Sequence, residues 1–212
     1  MIASSNKQKM EFSSRIKKEM TEGIVRAILE DAGYRVIDSG IEKFIRELSV
    51  LLPEQYKALG FPDAMSHLPD FTVLTQEQDK KYFVEVKYRK TWDKSLFDQV
   101  KDQVRLFGSL VLVSINASPD NPNKLNTAPS RYLRCCELKF DAGEYLIHQR
   151  KAENQHQWKA ISSLNDGSGL WWSMSPLQEV FTRLRAKASP AEIDSKETSL
   201  YTAIAAIKGI LD

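Results

Sequence analysis

Pro69-Asp-Phe-Thr-Val-Leu-Thr75 and Lys81-Tyr-Phe-Val-Glu-Val-Lys-Tyr88 are runs rich in β-branched and aromatic residues, joined by the polar Gln76-Glu-Gln-Asp-Lys80. Such runs, separated by so short a polar link, predict a hairpin of two neighbouring antiparallel strands. Asp70 then opens one strand, and Glu85 and Lys87 stand two apart on the other, so both side chains leave the same face. Tyr82, Val84, Val86 and Tyr88 take the opposite face. Charged groups on an otherwise packable strand are costly unless they are paired or hold a metal ion.

Outward from the hairpin, the apolar residues Phe12, Ile16, Met20, Ile24, Ala27 and Ile28 recur at helical spacing and predict a long amphipathic helix over 11–31, ending at Ala32-Gly33. Tyr34 to Asp38 reads as a short strand. Helical periodicity returns over 41–52, and Pro53, Pro62 and Pro69 punctuate the stretch after it, so 41–68 reads as a helical insertion. Beyond the hairpin, Trp92 to Phe107 predicts a second clear helix, and Leu110-Val-Leu-Val-Ser-Ile115 is a near-continuous apolar run, as a strand buried on both faces requires. Asn116 to Ser130 reads as a loop. Further strands are predicted over 131–140, 144–149 and 157–161, with a helix over 176–187 and a terminal helix over 195–211.

The order helix, strand, hairpin, helix, buried strand predicts an α/β three-layer sandwich, a central mixed β-sheet flanked by helices. Residues 1–130 form its core. Residues 131–212 supply a C-terminal α+β elaboration that either extends the same domain or forms a small appendage.

A net charge of +2 over 212 residues is too mild to announce a polyanion partner from the total alone. Its distribution says more: Lys80 to Lys94 carries six basic residues against two acidic ones, and a phosphate backbone would be drawn there. Arg89, Lys90, Lys94 and the loop residue His67 are the candidate nucleic-acid contacts. No apolar run approaches the roughly 18 residues that span a bilayer, and the polar, basic N-terminus lacks a secretory core, so a cytoplasmic protein is expected. The only cysteines, Cys135-Cys136, are adjacent and read as two reduced thiols in a strand.

Two carboxylates at the spacing of Asp70 and Glu85 offer hard oxygen ligands to Mg²⁺, and a lysine beside them can orient or deprotonate a water and offset charge on a phosphate in transition. Pro69-Asp70, fourteen intervening residues, then Glu85-Val86-Lys87 resembles the signature of the PD-(D/E)xK nuclease superfamily, which includes restriction endonucleases and Holliday-junction resolvases. The resemblance covers roughly 11–116. It implies a restriction endonuclease-like core, a Mg²⁺- or Mn²⁺-dependent endonuclease acting on DNA, metal ligands at Asp70, Glu85 and the Val86 carbonyl, and a water-activating Lys87.

The family also implies a helical Glu about eleven residues before a Gly-aromatic pair. Glu22 stands eleven before Gly33-Tyr34 and borders the stripe of Val25 and Leu29, with Glu19 as its competitor. Some relatives carry Gln-x-x-x-Tyr on the helix after the motif, and Gln99-Val-Lys-Asp-Gln103 resembles it with Gln in place of Tyr. Gln103 falls inside the apolar arc of Leu96, Val100, Val104 and Phe107, with Gln99 at its edge. Both glutamines join Glu22, Asp70, Glu85 and Lys87 as candidate catalytic residues.

Trp158, Trp171 and Trp172 could stack on bases but read as core, and Arg183, Arg185 and Lys187 as a solvated helix face. The competing functions are a non-catalytic nucleic-acid-binding subunit on the same fold and an RNA-directed nuclease. A homodimer is a reasonable expectation from the resemblance, because cutting both strands commonly needs two sites. No P-loop occurs, so an ATP-driven motor would belong to a separate subunit; residues 131–212 could form the dimer contact or a target-recognition surface, and a separate partner subunit for targeting is a further candidate.

Overall fold

The computed structural model describes residues 2–40, 55, 58–60, 63–89, 91–116, 129–153, 155–165, 169–186 and 199–211. In chain order they form α1 (Ile2–Asp31), β1 (Arg35–Asp38), α2 (Asp63–Ser66), β2 (Phe71–Leu74), β3 (Lys81–Arg89), α3 (Ser95–Phe107), β4 (Ser109–Asn116), β5 (Leu133–Asp141), β6 (Glu144–Ala152) and β7 (Gln155–Ala160). Four helices come after them: α4 (Gly169–Ser173), α5 (Leu177–Val180), α6 (Arg183–Ala186) and α7 (Ser199–Leu211). Most of the expected insertion at 41–68 and most of the loop at 116–130 lie outside the described residues.

The seven strands make one sheet in sequential order, antiparallel at every pairing except β3 with β4. That parallel pair follows from α3, because parallel neighbours need a long crossover whereas antiparallel ones need only a turn. β5, β6 and β7 continue the sheet that β1 to β4 begin.

Alternation along each strand sorts side chains onto two faces, and each face carries its own core. Val84, Val86, Val111, Val113 and Ile115 pack with Val25, Ile28 and Leu29 of α1 and Ile204 and Ile207 of α7. Leu110, Leu112, Cys136 and Leu138 pack on the other face with Leu96, Val100 and Val104 of α3 and with Leu170 and Trp171 of α4. The result is an α/β fold with a mixed sheet and helices on both faces. No helix among the described residues is long and apolar enough to cross a membrane.

Helix ends are set by local chemistry. α1 closes in a Schellman arrangement: Tyr34 N–H donates to Leu29 O at 3.0 Å and Gly33 N–H to Glu30 O at 2.9 Å, with Gly33 at φ 82°, a backbone region that glycine enters without strain. At the start of α3 the Asp93 carboxylate accepts the Ser95 N–H at 3.0 Å, and Gly108 at φ 76° ends the helix.

The expected single helix over 176–187 is two short ones. The chain leaves helical geometry at Phe181 (φ −94°, ψ 80°), which turns that ring into the core against Tyr34 and Tyr82, at centroid distances of 5.7 and 5.3 Å. Burial of a large aromatic outweighs one turn of exposed helix. Arg183, expected on a solvated face, pairs with Glu77 of the β2–β3 turn, while its N–H donates to Tyr34 Oη. The Arg185 side chain and Lys187 lie outside the described residues.

Candidate active site

β2 begins at Phe71, opposite Val84, while β3 runs on to Arg89. Among the described residues the continuing edge of β3 is therefore left without a strand partner, and Asp70 fills the gap. Its Oδ2 accepts the Val86 N–H at 2.7 Å, and its own N–H donates to Glu85 Oε2 at 3.3 Å. A strand that stops short thus fixes the two carboxylates against one another.

Glu22 comes from α1. It is 4% exposed, beside Asp70 at 7% and Glu85 at 6%. Three buried carboxylates are an expensive arrangement. Two lysines offset part of it. Lys87 Nζ donates to Glu85 Oε1 at 2.6 Å, and Lys18 Nζ lies 3.5 Å from Glu22 Oε1 and 4.0 Å from Asp70 Oδ1. The offset is incomplete at Asp70, whose pKa is pushed up from 3.8 to about 8, first by burial and then by the charges of Glu85 and Glu22, against the lowering effect of the Val86 N–H and Lys18.

Gln103 is the polar residue that interrupts the apolar arc of α3, and it is buried. Its Nε2 donates to Glu85 Oε2 at 2.9 Å, while its Oε1 is buried with no hydrogen-bond partner among the described residues. Both Glu85 oxygens therefore receive a donor, Lys87 on one and Gln103 on the other. Gln99, one turn earlier, is exposed and is not part of the cluster. A position at the edge of the arc turned out to face solvent, and only the position inside it reaches the sheet. Glu19 is likewise exposed, so Glu22 is the acid that α1 delivers.

The expected phosphate contacts are dispersed. Arg89 Nη2 donates to Ser95 Oγ at 3.3 Å, and its buried Nη1 has no hydrogen-bond partner among the described residues. Lys94 Nζ donates to the Ser162 carbonyl at 3.3 Å. His67 Nε2 lies 3.6 Å from Asp102 Oδ2 on α3. Lys90 lies outside the described residues. Sequence reasoning missed Lys18, although its place four residues before Glu22 on one helix was the signal.

The tryptophans divide, against the expectation that all three are core. Trp171 is buried, its ring 4.9 Å from that of Trp92, but Trp172 is 54% exposed and Trp158 40% exposed.

Among the described residues, no group of three or more His, Cys, Asp or Glu side chains stands in ligating geometry for a metal ion. The carboxylate oxygens are instead engaged by Val86 N–H, Gln103 and the lysines. The donor chemistry nevertheless fits a hard divalent cation. Glu22, Asp70 and Glu85 are buried hard-oxygen donors, and the Asp70 pKa is raised first by burial and then by the charges of the other two. Comparison of the chain with protein-family models, with curated proteins and with solved structures finds no match.

Proposed function

We propose that this protein is a divalent-metal-dependent nuclease that hydrolyses phosphodiester bonds, with DNA as its substrate, on a restriction endonuclease-like fold. The observation that carries the reading is the buried cluster itself. Asp70 and Glu85 are bonded to each other's strand, Glu22 stands beside them, and Lys87 is held against Glu85 on the same face. Burial that leaves a carboxyl with a strongly raised pKa marks functional sites more often than structural ones. The long helix before the hairpin and the crossover helix after it also match the order that the sequence resemblance implies.

Mg²⁺ or Mn²⁺ would be held by Asp70, Glu85 and Glu22, with the Val86 carbonyl as a further oxygen donor, and when bound it would offset charge on the phosphate and acidify a water. The remaining work falls to side chains. An ammonium carries three N–H donors, and Glu85 takes one from Lys87, so others can orient the attacking water or meet a phosphate oxygen. Gln103 holds the Glu85 carboxylate in one orientation from behind. Lys18 sits at the outer side of the cluster, bridging Glu22 and Asp70.

Plasmid and short duplex DNA incubated with Mg²⁺ or Mn²⁺ test the reading. The wild-type protein should cut, and Asp70→Ala and Lys87→Ala should each lose cutting. Activity that survived both substitutions would refute the assignment.

A further inference from the structure

Two strands from Lys87, on the same face, an exposed indole rests on a buried arginine. Lys87 pairs with Ser114 of β4, and Ser114 pairs with Arg134 of β5. All three side chains leave the sheet on the face of Leu112 and Cys136, because they share their parity. At about 4.8 Å per strand, the Arg134 backbone is roughly 10 Å from that of Lys87.

Arg134 is buried yet satisfied. Its Nε donates to the Ser130 carbonyl at 2.8 Å and its Nη1 to the Met174 carbonyl at 2.5 Å. Burial lowers its pKa only to about 10, so it carries its charge at neutral pH. The guanidinium lies 4.7 Å from the centroid of the Trp172 ring. Helix α4, which carries Trp172, is anchored by Leu170 and Trp171 in the core shared with α3. The indole thus rests on a positive charge while the residue as a whole stays 54% exposed, so a ligand can reach the ring. A rigid aromatic ring with one free face, backed by cations, is the arrangement on which nucleobases stack in single-strand binders.

We infer that Trp172, backed by Arg134, is a nucleobase-stacking subsite on the catalytic face, and that the substrate presents an unpaired base there. This rests on the nuclease reading of the Asp70–Glu85–Lys87 cluster. A base inside a continuous duplex has both faces covered by its neighbours, so a strand with unpaired bases is the form that fits: a single strand, a flap or a gap. The other exposed tryptophan, Trp158, serves as an internal control. It stacks on His148, which bonds Glu137, and Glu137 pairs with Val111 on the opposite face of the sheet.

Fluorescence anisotropy without divalent metal compares a short oligothymidylate with an abasic oligonucleotide of equal length and charge. The wild type should bind the oligothymidylate about tenfold more tightly. Trp172→Ala should lose most of that preference, Trp172→Phe should keep it, and Trp158→Ala should leave it unchanged. Equal binding of the two strands by the wild type, or an undiminished preference in Trp172→Ala, would overturn the subsite. Cleavage assays on Asp70→Ala report separately on the catalytic cluster. Loss of base preference in Trp172→Ala with cutting intact in Asp70→Ala sinks the nuclease centre but not the subsite, and the reverse pattern sinks the subsite alone.

Discussion

Replacing Asp70 by Asn should make the protein more stable while destroying its activity, and only in one range of pH. Asn keeps an oxygen for the Val86 N–H that Asp70 accepts at 2.7 Å, but removes the charge that Glu22 and Glu85 oppose. A carboxyl whose folded pKa lies above its unfolded one takes up a proton on folding between the two values. Its contribution is intact below the ordinary 3.8 and is lost progressively as pH climbs to about 8. At about 1.4 kcal/mol per pH unit, the cost in the wild type at pH 8 is bounded at roughly 6 kcal/mol. Burying an imperfectly paired amide takes back about 2 to 3 kcal/mol at every pH. Asp70→Asn should therefore gain about 3 kcal/mol at pH 8 and lose about 1 kcal/mol at pH 5. In a chain of this size that gain amounts to a rise in Tm of about 8 °C.

Thermal unfolding at pH 5, 6.5 and 8 without divalent metal reads this directly, alongside DNA cleavage in Mg²⁺. Adding Mg²⁺ should close the gap, because the wild type gains about 2.7 kcal/mol at a hundredfold excess over Kd and a variant lacking a ligand gains little. A variant no more stable than wild type at pH 8, or equally stabilised at pH 5 and pH 8, refutes the account of Asp70 as a carboxylate held under repulsion for a cation.

Gln103→Leu removes the donor to Glu85 Oε2 while keeping the apolar arc of α3, so cleavage should fall about 10- to 100-fold; Gln99→Ala should stay within about twofold, and the reverse order would exchange their roles. Glu179 tests a polar cluster on the opposite face of the sheet. Its side chain is 2% exposed and receives Arg150 Nε at 3.0 Å and His156 Nε2 at 3.0 Å. Glu179→Ala leaves Arg150 Nε without its carboxylate while His156 Nε2 keeps Ser175 Oγ at 2.8 Å, and because both side chains are only partly buried the loss should be about 1 to 2 kcal/mol in urea unfolding. Cleavage per folded molecule should not change. A loss below about 0.5 kcal/mol would mean that solvent already satisfies Arg150 and His156.

Whatever chemistry is local could be read from the sequence. The glycine that ends α1, the two runs that make the β2–β3 hairpin and the arc of α3 are each encoded within a few turns, and each stands where periodicity puts it. Asp70 and Glu85 were legible because a hairpin is the shortest way to bring two distant carboxylates together. Gln103 was legible because a polar residue inside an apolar arc must meet a partner in the core. Tertiary choices left no such trace. Trp171 and Trp172 are adjacent, equally apolar and on the same short helix, and nothing in their order says which one is buried. The decision belongs to Trp92, whose ring meets Trp171 at 4.9 Å, and to Arg134, whose guanidinium meets Trp172 from a strand more than thirty residues away. The break at Phe181 is of the same kind, since the rings that draw it inward belong to Tyr34 and Tyr82. Local pattern therefore reported the carboxylate cluster, where chain neighbours carry most of the geometry. It missed the indole on the same face of the sheet, whose surroundings are set by residues distant in the chain.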